Sequence, residues 1–259
     1  MSLARQRAAA GPALPVGRAA GTLLQGAIYL ADLDFATVQG PVSVAPRDLA
    51  KVREYLALAI PRIADYCRQY GATALALGPT LARRSVTVPS DGYTDADLQG
   101  WVGAMAGAVS LPIGSSILVL NPPGVVNQDA KESGGVGVLG YHGSASIPYS
   151  FVNLLGTGFT VDDRADLFAE AVSHEIAEMT VDPRADGSNP EVCDGCGTNC
   201  QGRSAYRSYF DARGSYLGSS TAFPPSFAFA FFLSAIAQPG VASDCPAPAN
   251  GCAYAPPPV

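Results

Sequence analysis

Residues 173–183 (SHEIAEMTVDP) constrain this chain most, because they place His174 four residues before Glu178. His174 is one of only two histidines in the 259 residues. In an α-helix, residues four apart lie nearly above one another, so this imidazole and this carboxylate can bind a single ion. Glu175 lies about a third of a turn round the same helix and can reach a water on that ion. The segment therefore predicts a helix that carries a metal site.

The helix is also predicted by signals that have nothing to do with metal. Thr160 followed by Asp163 indicates an N-cap with an acidic third position. Apolar residues recur at helical period and should face the core: Phe168, Val172, Ile176 and Met179. Asp182 should end the helix, because the residue before a proline avoids the α conformation. A second face should carry Glu170, His174 and Glu178.

The segment resembles the zinc metallopeptidase motif H-E-x-x-H, with Glu178 in place of the second histidine. With residues 180–183 (TVDP) and 191–196 (EVCDGC), it resembles a group of bacterial zincin-like proteins that carry H-E-x-x-E-x-x-T-D-P followed by E-I-x-D-x-C. Residues 140–143 (GYHG) and 148–152 (PYSFV) are similar to a segment which this group shares with the plant phosphate-induced (Exordium-like) family. The resemblance covers residues 115–200 and is distant elsewhere.

The resemblance implies an α+β, zincin-like fold. Its mixed, twisted sheet would support an active-site helix carrying HExxE, followed by a loop-rich, cysteine-stapled C-terminal part. The implied reaction is hydrolysis of a peptide bond in a peptide or protein, with one zinc ion as cofactor. Glu175 would be the general base that takes a proton from water, and His142 would support the oxyanion.

A catalytic zinc takes three protein ligands and keeps one position open. His174 and Glu178 supply two of them. Asp194 is the first choice for the third, with Glu191 and His142 as alternatives. His142 is therefore expected in the site either as a ligand or as a donor to the transition state.

Two other classes of protein fit the same residues. The plant relatives generally lack the His-Glu pair, which leaves a non-catalytic extracellular binding module with a zincin-like fold as one alternative. An oxygen-rich site also suits iron or manganese, and Glu170, His174 and Glu178 on one helix face are similar to di-iron helices. The paired Glu-x-x-His motifs of such bundles are absent from the sequence.

Composition excludes several other functions. The net charge is −6, and no cluster of basic residues exceeds the pair Arg83 and Arg84, which disfavours nucleic-acid binding. No apolar run approaches the roughly 18 residues that a membrane-spanning helix needs, so membrane insertion is not expected. The first residues lack the apolar core of a signal peptide, yet six cysteines weakly favour a secreted, extracellular protein.

The cysteines allow two arrangements downstream of the motif. Cys193, Cys196 and Cys200 could bind a structural zinc with Cys245 or Cys252 as the fourth ligand. Two disulfides among these five residues are at least as probable, and the pairing cannot be deduced from spacing. Either arrangement would make the loop rigid.

The remaining sequence predicts a flexible leader over residues 1–20, a zincin-like catalytic domain over 21–240 and a Pro-rich tail over 241–259. Strands are predicted at 22–30, 73–77, 84–88 and 117–120, with Gly78 and Pro79 separating the second from the third. Helices are predicted from Pro46 to Gly71, with a kink or break at Pro61, and from a capping box at Thr94. Asp32 and Asp34 are expected to form turns. A glycine-rich strand over 134–140, which ends in Tyr141 and His142, is the candidate edge strand for pairing with a substrate peptide.

Overall fold

The computed structural model describes residues 23–67, 71–72, 74–130, 139–154, 161–186, 207–210, 216–220 and 231–233. The three helices of this part of the chain are α1 (Pro46–Cys67), α2 (Asp95–Val109) and α3 (Val161–Val181). The strands before α2 are β1 (Gly26–Leu30), β2 (Leu33–Thr37), β3 (Gly40–Ser43), β4 (Leu75–Thr80) and β5 (Arg84–Thr87). Those after α2 are β6 (Ser116–Asn121), β7 (Gly140–Ser144), β8 (Pro148–Asn153), β9 (Arg207–Phe210), β10 (Tyr216–Ser220) and β11 (Phe231–Leu233).

The central sheet has five strands in the order β4-β1-β6-β8-β7. The first four are parallel, and β7 runs antiparallel to β8 at one edge. In this last pair, His142 lies opposite Ser150, and Gly140 lies opposite Val152. Successive side chains of a strand point to opposite faces, so Gly140 and His142 share one face while Tyr141 and Gly143 share the other. The edge strand thus supplies residues to two different layers.

Each face of the central sheet is covered by helix. The helices α1 and α3 pack with β1, β6 and β8 in one core, which contains Ile28, Leu56, Leu118 and Ile176. The helix α2 and the small sheet β3-β2-β5 form a second core on different residues, including Phe35, Leu98, Val119 and Phe151. The alternation of Leu118 and Val119 between the two cores shows that β6 is buried on both faces.

Local sequence signals account for the first two helices. Helix α1 begins at Pro46, a residue suited to the first helical position, and continues through Pro61 to Cys67. Helix α2 begins after Thr94, whose side chain accepts from the Asp97 backbone while the Asp97 carboxylate accepts from the Thr94 backbone. Both helix starts agree with the sequence-based predictions.

The prediction of an α+β protein with a mixed sheet is confirmed. Two local predictions are wrong. Gly78 and Pro79 lie inside β4 rather than between strands, because β4 is an edge strand, where a missing N–H costs little. Asp34 lies within β2, whereas Asp32 precedes that strand and forms an ion pair with Arg83.

Several predictions fall on residues outside the described ranges. These are the leader, the Pro-rich tail, the five downstream cysteines and most of the glycine-rich segment before β7. Cys67, by contrast, is described and is a buried free thiol. No helix in the described ranges is long and apolar enough to cross a membrane.

Candidate metal centre

Three buried side chains converge between α3 and β7. His142 comes from β7, while Glu175 and Glu178 are one helical turn apart on α3. Each residue offers one ligand atom, and these three atoms lie within 4.8 Å of one another. His142 is 2% exposed, Glu175 1% and Glu178 4%. Among the described residues, this is the group that could hold a metal ion.

The orientation of His142 is fixed by the end of α3. Its Nε2 atom lies 3.1 Å from the backbone oxygen of Asp182. A carbonyl can only accept, so Nε2 carries a proton and donates to it, and Nδ1 is directed the other way. This Nδ1 lies 3.4 Å from Glu178 Oε2 and 3.9 Å from Glu175 Oε2. The helix terminus therefore aims the second imidazole nitrogen at both carboxylates.

His174 approaches Glu178 from another side. Its Nε2 atom lies 3.0 Å from Glu178 Oε1, whereas the Nδ1 atom of His142 lies 3.4 Å from Oε2 of the same carboxylate. His174 is 1% exposed, yet it does not belong to the three-residue group whose ligand atoms converge. Glu178 thus has one oxygen towards His142 and the other towards His174.

The position of Glu175 depends on a glycine in the neighbouring strand. A Cβ atom at Gly140 would lie 2.8 Å from Glu175 Cγ and 3.0 Å from Glu175 Oε1. It would also lie 2.8 Å from the backbone oxygen of Phe151, which cannot move aside easily. Gly140 therefore allows the Glu175 side chain to lie directly against β7, two residues from His142.

The two imidazoles set the charge state of Glu178. Burial, the largest single cause, would raise the pKa of this carboxyl. The charges and hydrogen bonds of His174 and His142 together outweigh burial and lower the pKa from 4.5 to about 2. Glu178 is consequently an ionised group inside the protein, and a buried charge requires a partner cation, hydrogen bonds or a metal.

Helix α3 is buried near the cluster, over residues 171 to 181, and it bonds to both α1 and β8 there. Ser173 forms a side-chain hydrogen bond with Tyr55 of α1. The Ser150 hydroxyl donates to the sulfur of Met179 at 3.6 Å, and the Cys67 thiol donates to the backbone oxygen of Ala177 at 3.8 Å. These contacts hold the helix at a fixed rotation over β7 and β8.

On the opposite face of the sheet, a hydrogen-bond network ties β7 and β8 to the start of α2. Tyr141 and Tyr149 both donate to Asp95 Oδ1, at 2.8 Å and 2.6 Å. Tyr141 also accepts from the Asn127 amide at 2.8 Å. Burial and the Asp95 carboxylate raise the pKa of both tyrosines, so their hydroxyls stay protonated as donors. No sequence pattern predicted this network, because nothing in the chain marks Asp95 and Tyr141, 46 positions apart, as partners.

The structure places the predicted site residues as follows. Glu178, Glu175 and His142 are brought together, and His174 contacts Glu178. Asp194 and Glu191, the other candidates for the third ligand, lie outside the described residues. The group that could hold a metal ion contains Glu175 and His142 beside Glu178, whereas the motif predicted His174 and Glu178 as ligands.

The donor chemistry fits a divalent cation. One imidazole nitrogen and two carboxylate oxygens are zinc ligands in proteins, and they also suit iron or manganese. Comparison with protein-family models, with curated proteins and with solved structures finds no match to this chain. The geometry and chemistry of the site itself are therefore the basis for a function.

Proposed function

We propose that this protein is a metal-dependent hydrolase that holds one zinc ion between α3 and β7 and cleaves peptide bonds. The observation that carries the proposal is the convergence of His142, Glu175 and Glu178, all three of them buried, between α3 and β7. Carboxylates are rarely buried unless they are paired or bind a metal. The resemblance of the HExxE segment to zincin-like proteins supports the same reaction, as does its position at the end of a helix that faces a sheet edge.

Several side chains and the edge strand β7 would have separate roles in this reaction. When bound, a divalent cation polarises a carbonyl group and lowers the pKa of a water ligand. His142, held by the Asp182 carbonyl, and Glu178, held by both histidines, keep their ligand atoms in fixed positions. Fixed positions are what a catalytic centre needs, because a displacement of about 1 Å can cost two orders of magnitude in rate. The edge position of β7 supports a peptide substrate, since an extended chain can pair with an exposed strand.

Metal content and hydrolysis of an unfolded protein substrate test the proposal together. The full chain, purified without added metal, should contain or take up one zinc per chain. Its hydrolysis should stop with a chelator and return with zinc. Glu178→Gln should lack both tight zinc binding and activity. Asp129→Asn, which alters an exposed carboxylate on the other side of the sheet, is the matched control and should retain both. A wild-type chain that takes up no divalent metal would refute the proposal.

A second candidate, a non-catalytic module with a structural metal, is favoured by one observation. The three ligand residues are only 1–4% exposed, and closed sites are typical of structural zinc. This candidate predicts the same zinc content and the same effect of Glu178→Gln on binding, but no hydrolysis of any unfolded substrate. The metal analysis also separates zinc from iron or manganese, which the two carboxylates would accept.

A further inference from the structure

We propose that Glu175 is a metal ligand, together with His142 and Glu178, and that His174 is a positioning residue that holds Glu178 from outside the ligand set. This inference rests on the proposed function and concerns how the residues of that site divide their tasks. The motif alone suggests His174 as a ligand and Glu175 as a general base. In the structure-based assignment, Glu175 is the ligand and His174 supports Glu178.

The distances match a ligand set made of His142, Glu175 and Glu178. Ligands of a tetrahedral zinc lie about 2.1 Å from the ion and therefore roughly 3.4 Å from one another. His142 Nδ1 is 3.4 Å from Glu178 Oε2 and 3.9 Å from Glu175 Oε2. All three ligand atoms lie within 4.8 Å of one another, which leaves them around a common point that an ion could occupy.

The orientation of His142 suits a metal ligand. Its Nε2–H donates to the Asp182 carbonyl at 3.1 Å, and its Nδ1 is directed at the two carboxylates. A cation among the three atoms would make each of these contacts attractive. The second nitrogen of a metal-binding histidine usually donates to a carbonyl or carboxylate, as Nε2 does here.

The Glu175 side chain packs against β7, beside His142. Its Cγ and Oε1 atoms lie where a side chain at Gly140 would otherwise be, on the same face of β7 as His142. Glu175 is 1% exposed. A general base needs a water within reach of its carboxylate. A carboxylate packed against the strand beside His142 is placed to reach an ion instead.

His174 occupies the position of a supporting residue. Its Nε2 atom contacts Glu178 Oε1, whereas His142 contacts Oε2 of the same carboxylate. Ligating carboxylates are commonly held by such partners, whose loss costs about 10- to 100-fold in metal affinity. His174 is therefore expected to orient Glu178 rather than to supply a fourth ligand atom.

Zinc affinity of the full chain, measured by competition with a chromogenic chelator, tests the division of roles. Glu175→Gln should lose more than about 100-fold in affinity, as Glu178→Gln does. His174→Ala should lose about 10- to 100-fold, and His174→Gln, which restores an N–H donor, should recover most of the loss. The proposal is overturned if Glu175→Gln binds zinc as tightly as wild type and loses only hydrolysis. It is equally overturned if His174→Gln abolishes binding.

A second measurement does not depend on the Glu175 variant folding. Pulsed electron paramagnetic resonance of the Cu²⁺-loaded chain detects coordinated imidazole. The wild type should show one imidazole ligand, which persists in His174→Gln and disappears in His142→Gln. Loss of the signal in His174→Gln would refute the assignment while leaving the metal-dependent function intact. A wild type that binds neither zinc nor copper would refute the proposed function itself.

Discussion

At the scale of single residues, the contact between Gly140 and Glu175 links the metal site to the strand beside it. Replacing Gly140 by alanine would place a Cβ atom 2.8 Å from both Glu175 Cγ and the Phe151 backbone oxygen. Because the backbone cannot yield easily, the Glu175 side chain must move away from His142. We expect Gly140→Ala to lower stability by about 1–3 kcal/mol, as overpacking does, and to weaken zinc affinity at least tenfold.

Gly143→Ala is the matched control for this prediction. Gly143 lies on the same strand but on the other face, where a Cβ atom would meet the Tyr149 hydroxyl at 2.6 Å. It should lower stability to a similar degree but leave zinc affinity within a few-fold of wild type. Chemical denaturation and zinc titration of the two variants measure both effects. Equal zinc affinities for Gly140→Ala and wild type would contradict the placement of Glu175 in the site.

Glu178 makes the metal-free protein sensitive to acid. The His174 and His142 contacts hold the pKa of Glu178 at about 2 in the folded chain, below its ordinary 4.5. A group whose pKa is lower in the folded state contributes stability above its unfolded pKa and loses that contribution as the pH falls through its folded pKa. The free energy of unfolding of chelator-treated protein should therefore fall between about pH 4.5 and pH 2. Urea denaturation across this range should show a shallower fall in Glu178→Gln, and identical slopes would count against the ionised carboxylate.

At the scale of secondary-structure elements, Asp95 fastens β7 and β8 to the start of α2. One carboxylate oxygen accepts from the hydroxyls of both Tyr141 and Tyr149. Asp95→Ala leaves two partly buried donors without this acceptor and should destabilise the fold by about 2–4 kcal/mol. Denaturant unfolding of Asp95→Ala, alone and combined with Tyr141→Phe and Tyr149→Phe, measures the coupling. The triple variant should be less destabilised than the sum of its parts, because the orphaned hydroxyls are removed with their acceptor.

Zinc titration of Asp95→Ala tests whether the two faces of the central sheet act independently. Zinc affinity should change by only a few-fold in Asp95→Ala, because the metal site lies on the face with α1 and α3. A loss of zinc affinity as large as that of Glu178→Gln would mean that the network positions His142 through the strand. Such a result would contradict the independence of the two layers.

The helices could be predicted from sequence because their signals are local. The capping box of Thr94 and Asp97, the apolar period of α1 and the proline after Asp182 each act within a few residues. The site was predicted in part for the same reason, since Glu175 and Glu178 are close on one helix whatever the rest of the chain does. The convergence of Glu175, rather than His174, with His142 and Glu178 could not be predicted, because it depends on how far α3 is rotated over β7, and long-range packing sets that rotation. Gly140 is the clearest example of such long-range packing. No sequence pattern indicates that the Glu175 carboxylate will lie in the space left by its missing side chain.

At the scale of the whole molecule, a metal between α3 and β7 would join two elements that belong to different parts of the chain. Helix α3 packs in the core with α1, whereas β7 is the edge strand of the central sheet. Among the described residues, β7 is hydrogen-bonded to one other strand, β8, and such an edge is expected to open before the centre of a sheet. A ligand that binds only the folded state shifts unfolding by mass action, by about 2.7 kcal/mol when its free concentration is 100 times its dissociation constant.

We therefore expect zinc to raise the unfolding temperature of the full chain and to slow amide hydrogen exchange in β7 and in the last turns of α3. The effect should be absent from Glu178→Gln, which removes a charged ligand but keeps the shape of the side chain. Calorimetry with and without zinc gives the shift in stability, and hydrogen exchange read by mass spectrometry locates it. Protection confined to other elements, with β7 and α3 unchanged, would mean that zinc binds elsewhere on the chain. Protection of both elements in wild type alone would place the ion between His142 and the two glutamates of the helix.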